Sequence, residues 1–435
     1  MEISQLYQLF QKYPVVTTDS RDCPTGSLFF ALKGEHFNGN LYAAKALDAG
    51  CAYAIVDEAD VIPADDERYI LVNDVLTSLQ DLAHEHRSHF PHPVLQITGT
   101  NGKTTTKELT AAVLSQRYQT LATEANYNNH IGVPKTLLRL NGLHKMAVIE
   151  TGANHPGEIA DLSRIVDPDY GLITNVGRAH LEGFGSFEGV IQTKAELYDY
   201  LRTKAQGTVF LHADNPYLSP LTEGLTVVSY GEPGGKGCLV EGEVVECNPY
   251  LVVRWRRQGC DEWQQVTTHL IGRYNLSNVL AAICVGVYFD LEEPEINFAL
   301  ATYQPKNDRS ELRQTAHNRL IVDAYNANPT SMAAALSNFA AMKAPHKMVI
   351  IGDMAELGEA SADEHRKVVE QLQADSSLEE VWLVGKRFQA VNTGFRTFNK
   401  VEEVYEALLQ TPLEGRLILI KGSNSTRLYT LPECL

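Results

Sequence analysis

Apolar and polar positions along this chain fall into two recurring patterns. Runs such as SLFFAL, YAIVD, VLQIT, MAVIE, YGLITN and GTVFL are short and almost continuously apolar, as strands covered on both faces are. Between them, stretches such as NLYAAKALDAG and NLSNVLAAICVGVYF repeat small and apolar residues at helical spacing, and the first stops at Gly50. Alternation of the two patterns predicts an α/β protein with mainly parallel sheets and helices on both faces.

Three regions separate on this pattern. Residues 1–92 read as a small α/β domain that ends in the polar, proline-punctuated segment HEHRSHFPHP. Its histidines, His84, His86, His89 and His92, read as a solvated helix end and linker, because no cysteine or carboxylate cluster accompanies them. Residues 93–304 read as a central, mainly parallel sheet of the P-loop type with flanking helices. Within it, CLVEGEVVECNPYLVVRWRRQ and WQQVTTHLI have the alternation of an antiparallel ribbon, an insertion or a sheet extension. Residues 305–435 alternate again through RLIVDAY, KMVIIGD, EVWLVG and RLILIKG, a third, Rossmann-like α/β domain.

Composition narrows the class. At 435 residues the chain exceeds one ordinary core, and 44% hydrophobic with 21% charged residues belongs to a soluble globular protein. No apolar run approaches the roughly 20 residues of a membrane span, and MEISQLYQLFQKYP lacks the basic start and apolar core of a signal peptide. Seven scattered cysteines without a CxxC pair fit thiols in a reducing compartment, so a cytoplasmic protein is expected. A formal net charge of −17 argues against a nucleic-acid partner and leaves room for a small anionic substrate held locally.

The segment ITGTNGKTTTKE carries the first chemistry. In Gly99-Thr100-Asn101-Gly102-Lys103-Thr104 a strand ends before the glycines and a helix begins after them. Glycines let backbone N–H groups turn inward around phosphate, and the helix N-terminus adds its dipole. Lys103 would reach the β and γ phosphates and the Thr104 hydroxyl a magnesium ion. The spacing is shorter than GxxxxGK[ST], which weakens a generic motor or switch reading.

Further polar residues stand at predicted strand ends. Glu150 closes MAVIE and is either a metal-binding acid at the phosphate crevice or an exposed strand-end acid. His180 in the loop after YGLITN and Lys194 in the following helix read by themselves as a structural histidine and a solvated lysine. EANYNNHIGVP is dense in amides, with Asn126, Asn128 and Asn129 serving the loop or a substrate. DAYNANPTSM, with Asp323 at a strand end, and IIGDMAELG, with Asp353 and Glu356, have the same ambiguity.

Taken jointly, VTTDSRDCPTGSLFFALKGEHFNGN, GTNGKTTTKE, EANYNNHIGVP, IETGANHPGEI, NVGRAHLEGFGS with Lys194, GRYNLSNVLAA, DAYNANPTSM and GDMAELGE resemble the Mur ligase family. These are ATP-dependent amide-forming enzymes of peptidoglycan precursor synthesis. Within the family, YNANP, GDMAELGE and IKGSNSTR look most like the member that adds D-alanyl-D-alanine to UDP-N-acetylmuramoyl-tripeptide. The resemblance implies ATP held by the 99–104 loop with Thr105, by Asn275 and Asn278, and by Arg309, Asp323, Tyr325, Asn326 and Asn328. It implies two magnesium ions on Thr104, Glu150, His180 and a CO2-derived carbamate of Lys194, with Lys103, His180 and Lys194 as the catalytic set. An unmodified lysine cation beside two metal ions would repel them. Ser20, Arg21, Lys33 and Gly34 resemble the uridine-diphosphate end, and Asn126 and Asn129 are expected on substrate. Tyr274 stands where a histidine commonly precedes the adenine-side asparagine, and Asn38-Gly39-Asn40 where DGH is commoner.

The activity so implied is phosphorylation of the tripeptide's terminal carboxylate by ATP, then attack of the dipeptide amine, with domain closure over the acyl phosphate. A monomer is the simplest expectation. The competing readings are another amino-acid ligase of the family, a P-loop switch or transport ATPase, and a degenerate binding protein. The switch reading leaves DAYNANP unexplained, and the intact set Lys103, Thr104, Glu150, His180 and Lys194 argues against lost catalysis.

Overall fold

The computed structural model describes residues 1–234, 237–305, 309–391 and 394–435. Three principal sheets follow one another along the chain, as the apolar runs predict. The first has four parallel strands and contains Leu28–Phe30 and Tyr53–Val56 at its centre. The second has nine strands and the third six.

In the nine-stranded sheet, Val94–Thr98 lies between Met146–Glu150 and Tyr170–Ile173, parallel to both. The chain leaves Val94–Thr98 toward the sheet edge at Thr120–Ala122, returns through Met146–Glu150, and crosses to Tyr170–Ile173 on the other side. Connections therefore diverge between Val94–Thr98 and Tyr170–Ile173, which opens a crevice at the strands' carboxyl ends. The ribbon expected from residues 238–271 is an extension of this sheet: Val240–Cys247, Tyr250–Arg257 and Gln264–Ile271 pair antiparallel at its far edge.

The six-stranded sheet is parallel except for its edge strand Glu311–Gln314. Leu417–Lys421 sits between Arg319–Asp323 and Lys347–Gly352, and the register sets Asp323 opposite Lys421. Of the segment NDRSEL, Asn307 and Asp308 lie outside the described residues.

Packing joins the first two sheets more closely than a polar linker suggests. HEHRSHFPHP is largely the end of the helix Val75–Ser88, and the histidine-rich stretch is not its important feature. Leu79 and Leu82 of this helix share one buried cluster with Val133, Leu137, Leu162, Ile165 and Val166 of the central region. Arg87, buried in the last turn, donates to the carbonyls of Phe90, Val166 and Asp167 and to Asp169 Oδ2, at 2.8 to 3.2 Å. Four of the five guanidinium N–H groups thus find protein acceptors in place of the water that burial removes. His86 accepts a lesser role, with Nε2 2.8 Å from the Leu140 carbonyl.

The seam between the central and third sheets is more polar, with a small apolar part where Ile271 and Tyr250 join the third sheet's buried cluster. Asn328 Nδ2 donates to Asn101 Oδ1 at 2.7 Å, Tyr274 and Ser310 share a hydroxyl contact of 2.6 Å, and Arg178 pairs with Glu364 at 3.5 Å. His180 Nδ1 meets the Glu356 carboxylate. Among the described residues no helix is long and apolar enough to cross a membrane, and all seven cysteines are free.

Arg87→Met should cost about 3 kcal/mol, because three carbonyls and a carboxylate lose a buried partner at once. Urea unfolding followed by circular dichroism measures it, and the first two sheets are expected to melt in one transition because they share a core.

Candidate active site

The phosphate-loop sequence folds as its glycines require. Val94–Thr98 ends, the chain turns, and the helix Lys103–Leu114 starts at Gly102. Gly99 has φ +141° and a Cβ there would lie 2.0 Å from Thr174 Oγ1. Gly102 has φ +76° and a Cβ would lie 2.5 Å from Asn278 Oδ1. Both positions combine a left-handed backbone with close approach, which an L side chain cannot satisfy. The loop is also tied to the neighbouring strand end: Asn175 Oδ1 accepts from Asn101 N at 3.0 Å, and its Nδ2 donates to Asn101 O at 2.9 Å.

A cavity of about 1310 Å³ opens in front of this loop. It is lined by Thr100, Asn101, Gly102, Lys103 and Thr105, by Glu150 and His180, and by Asn126, Asn128 and Asn129. Asn275 and Asn278, beside Gly102, and Arg309, Asp323, Tyr325, Asn326, Asn328 and Lys421 of the third region complete the lining. Segments separated by more than two hundred residues thus face one space. Gly99 and Thr104 lie behind the lining, within the loop and helix that form it.

Two charged groups in and behind this wall, Glu150 and Lys194, are almost dry, and Lys103 is half-buried. Glu150 is 1% exposed; its Oε1 accepts from Thr104 Oγ1 at 3.1 Å and Asn128 Nδ2 at 2.8 Å, while its Oε2 has no partner among the described residues. Lys103 donates to the carbonyls of Gly99 and Thr100 at 2.9 and 3.2 Å, and burial pushes its ammonium pKa down, partly opposed by Glu150. Lys194, on the helix Phe187–Arg202, is 2% exposed, with Nζ 5.3 Å from the centre of the Phe184 ring. Burial, and then the neighbouring Lys103, lower its pKa to about 7. The solvated lysine of the sequence pattern is therefore a buried amine. His180 has φ +50°, and burial lowers its pKa against the pull of Glu356.

Asn275 and Asn278 are buried and bond within the fold: Asn278 Nδ2 donates to Asn275 Oδ1, and its own Oδ1 accepts from Thr106. Asn129 Oδ1 accepts the backbone N–H groups of Ile131 and Gly132, which shapes the loop. Arg309 lies over the Tyr325 ring at 4.0 Å. Asp353 turns inward and accepts the N–H groups of Arg387 and Phe388 at 3.0 Å, a cap rather than a ligand group.

The first-sheet residues stand apart from the cavity. Arg21 forks onto Asp19, Lys33 pairs with Asp57 at 2.8 Å and Glu58 at 3.0 Å, and neither they nor Ser20 and Gly34 belong to the lining. Conversely, Asn175 and Lys421 hold the site together without an individual role in the sequence reading, and Asn128, there an amide for the loop or a substrate, holds Glu150. Their signal was position: Asn175 and Lys421 stand at the carboxyl ends of parallel strands, where such crevices form.

Donor chemistry fits a divalent cation. A buried carboxylate with one orphaned oxygen beside a threonine hydroxyl offers hard oxygen ligands. Among the described residues no group of three or more His, Cys, Asp or Glu could hold a metal by itself.

Fold and site together define a nucleotide-binding α/β protein whose phosphate loop is faced by a second α/β sheet. The chain belongs to the Mur ligase family: residues 12–87 match its Mur ligase family, catalytic domain, 97–286 the Mur ligase middle domain, and 308–424 the Mur ligase, glutamate ligase domain. It is similar to the UDP-N-acetylmuramoyl-tripeptide–D-alanyl-D-alanine ligase of Escherichia coli, 35% identical over 97% of this chain and 93% of that one. The Bacillus subtilis ligase of the same name is 32% identical over 97% and 92%. Among solved structures, the chain resembles a crystal structure of MurF from Acinetobacter baumannii with TM-score 0.87 at 30% identity, covering 99% of this chain and 97% of that one.

Gly99→Ala should weaken ADP binding by about tenfold, because the new methyl forces the loop away from Thr174 and strains its backbone. Isothermal titration calorimetry with ADP measures the change.

Proposed function

We propose that this chain is an ATP-dependent, ADP-forming amide ligase that joins D-alanyl-D-alanine to UDP-N-acetylmuramoyl-tripeptide. It would serve peptidoglycan precursor synthesis in the cytoplasm, and through it cell shape and division, and act as a monomer. The observation that carries this reading is the single cavity in which the phosphate loop, Glu150 and the Asp323–Asn328 turn of another sheet face one another. That arrangement suits ATP held between two units with its γ-phosphate toward a carboxylate substrate.

Three functional units follow on this reading: 1–92 for the UDP substrate, 93–304 for ATP, and 305–435 closing over ATP and binding the dipeptide. The polar seam between the last two is the one that opens, since the first two share an apolar core. Ser20, Arg21, Lys33 and Gly34 would meet the uridine diphosphate, and Asn126 and Asn129 the peptide end. Asn275 and Asn278 would border the adenine; Arg309, Asp323, Tyr325, Asn326 and Asn328 would complete the nucleotide site.

Mechanistically, Lys103 exchanges its two loop carbonyls for phosphate oxygens and neutralises charge as the γ-phosphoryl group moves. The substrate carboxylate oxygen attacks phosphorus, the bond to ADP breaks, and an acyl phosphate forms. The dipeptide amine then adds to the carbonyl carbon, loses a proton and expels phosphate. Thr104, Glu150, His180 and carbamylated Lys194 would hold two magnesium ions, which would supply charge neutralisation at the phosphoryl oxygens. Asn128 and Thr104 keep the Glu150 carboxylate aimed. Lys194 suits carbamylation because burial makes its neutral amine abundant near pH 7. The amine bonds to CO2 carbon and releases a proton, leaving a carboxylate in place of a cation.

Incubation with UDP-tripeptide and ATP should release ADP when D-alanyl-D-alanine is supplied and not when single amino acids are; absence of stimulation by the dipeptide overturns the assignment. Lys194→Ala is expected to lose most activity and regain part of it with added short carboxylates. In wild type, a carbamate signal from 13C-labelled bicarbonate should grow as pH rises through about 7, because the ammonium form present below that pH cannot attack CO2.

A further inference from the structure

His180 stands on a loop that leans on a sheet other than its own. After the strand Tyr170–Ile173 the chain runs to the short helix Leu181–Phe184, which begins at His180. From Arg178 onward, among the described residues, the polar contacts that leave this loop run to the third region. Arg178 N donates to Thr330 Oγ1 at 3.2 Å, and the Arg178 guanidinium pairs with Glu364 at 3.5 Å. Glu182 N donates to Glu356 O at 3.5 Å, and His180 Nδ1 meets the Glu356 carboxylate.

The turn that presents Glu356 is fixed from its own side. It follows the strand Lys347–Gly352, and Asp353 accepts the N–H groups of Arg387 and Phe388. Met354 N donates to His365 Nε2 at 3.1 Å, and Arg387 Nη1 donates to Met354 O at 3.2 Å. His180 and Glu356 both hold left-handed backbones, with φ +50° and +58°. That conformation is unfavourable for residues other than glycine and persists where the surroundings enforce it. A carboxylate oxygen can only accept, so in the neutral imidazole Nδ1 carries the proton and Nε2 keeps its lone pair. His180 lines the cavity and Glu356 does not, and Nε2 has no hydrogen-bond partner among the described residues. Phe184 stands edge-on to the imidazole with ring centres 6.2 Å apart, and the Lys194 amine lies over the same phenyl ring.

An ion pair that merely holds the seam shut is the competing explanation. The Glu356 side chain is 53% exposed, and a pair so open to water contributes little. Such a pair also has no need of two left-handed residues. We propose that Glu356 is a positioning residue: reaching across from the third sheet, it fixes the His180 ring with Nε2 free toward the cavity as a ligand for a divalent cation. This rests on the reading of His180 as a magnesium ligand, but not on the identity of the amine.

Nitrogen-15 spectra of the histidine rings in the metal-free full chain read the tautomer directly, with His180→Asn to assign the signal. In mildly alkaline buffer the wild-type ring should carry its proton on Nδ1. Glu356→Ala should move that proton largely to Nε2, whereas Glu356→Gln, whose amide oxygen still accepts, should keep it on Nδ1. Manganese(II) titration of the ADP-loaded chain, followed by electron paramagnetic resonance, reads the consequence. Affinity should fall about tenfold in Glu356→Ala, the usual effect of losing a carboxylate behind a histidine ligand, and stay near wild type in Glu356→Gln. On a His180→Ala background, Glu356→Ala should change it by less than about twofold, as a residue acting through another does. A wild-type ring protonated on Nε2, a Gln variant as defective as the Ala variant, unchanged manganese affinity in Glu356→Ala, or a full further loss without His180 would overturn the proposal. Equal affinity in wild type and His180→Ala would overturn the reading of His180 as a ligand and this role with it. A lost response to D-alanyl-D-alanine with these results intact would instead sink only the choice of amine.

Discussion

A carboxylate kept from water at the end of a central strand governs the arrangement of this site. Glu150 is held by a hydroxyl from the phosphate-loop helix and an amide from the loop after Thr120–Ala122, and one oxygen stays unsatisfied. Such a group is costly to bury alone, since a charge without partners loses its hydration with nothing in return. Its presence is tolerable because positive charge belongs in the same space. Lys103 lies near enough to feel it, and the open oxygen suits a hard cation. The buried amine of Lys194 extends the same logic: burial disfavours its cationic form.

The same constraint explains why amides are so frequent around the cavity. Asn101, Asn128, Asn175, Asn275, Asn278 and Asn328 each link two segments while adding no net charge. An amide both donates and accepts, so it can satisfy a buried carbonyl and a buried N–H without shifting the balance between Glu150 and the lysines. Substituting charged residues here would alter the field at the phosphate position, whereas amides leave that field to the groups that carry it.

Much of this was legible in the sequence, for identifiable reasons. The apolar runs gave the strands, and strand-glycine-lysine order gave the phosphate loop, because local geometry there depends on residues adjacent in the chain. Strand-end polar residues were legible as candidates, since carboxyl ends of parallel strands converge on crevices. Lys194 was not legible from its surroundings in sequence: a lysine in a polar helix reads as solvated, and only the packing of Phe184 and its neighbours makes it dry. Arg87 was hidden among histidines that looked more notable, because its partners at Val166, Asp167 and Asp169 lie some eighty residues away. Lys421 and Asp323 meet through sheet register, which no local pattern encodes.

The two seams of the molecule differ in what separation would cost. Parting the first sheet from the second would expose the apolar cluster that Leu79, Leu82, Leu137 and Leu162 share, and would strip Arg87 of buried partners. Apolar area returned to water costs roughly 25 cal/mol per Å², so that seam behaves as core. Parting the second from the third exposes Ile271 and Tyr250 and releases Asn101 from Asn328, Arg178 from Glu364, and His180 from Glu356. Water can satisfy each of those polar groups once the seam is open. The second seam thus shares less apolar surface than the first, and the nucleotide cavity lies on it. A ligand that touches Lys103 on one side and Asp323 on the other contributes its own binding energy to that seam, so closure can depend on the ligand rather than on the protein alone.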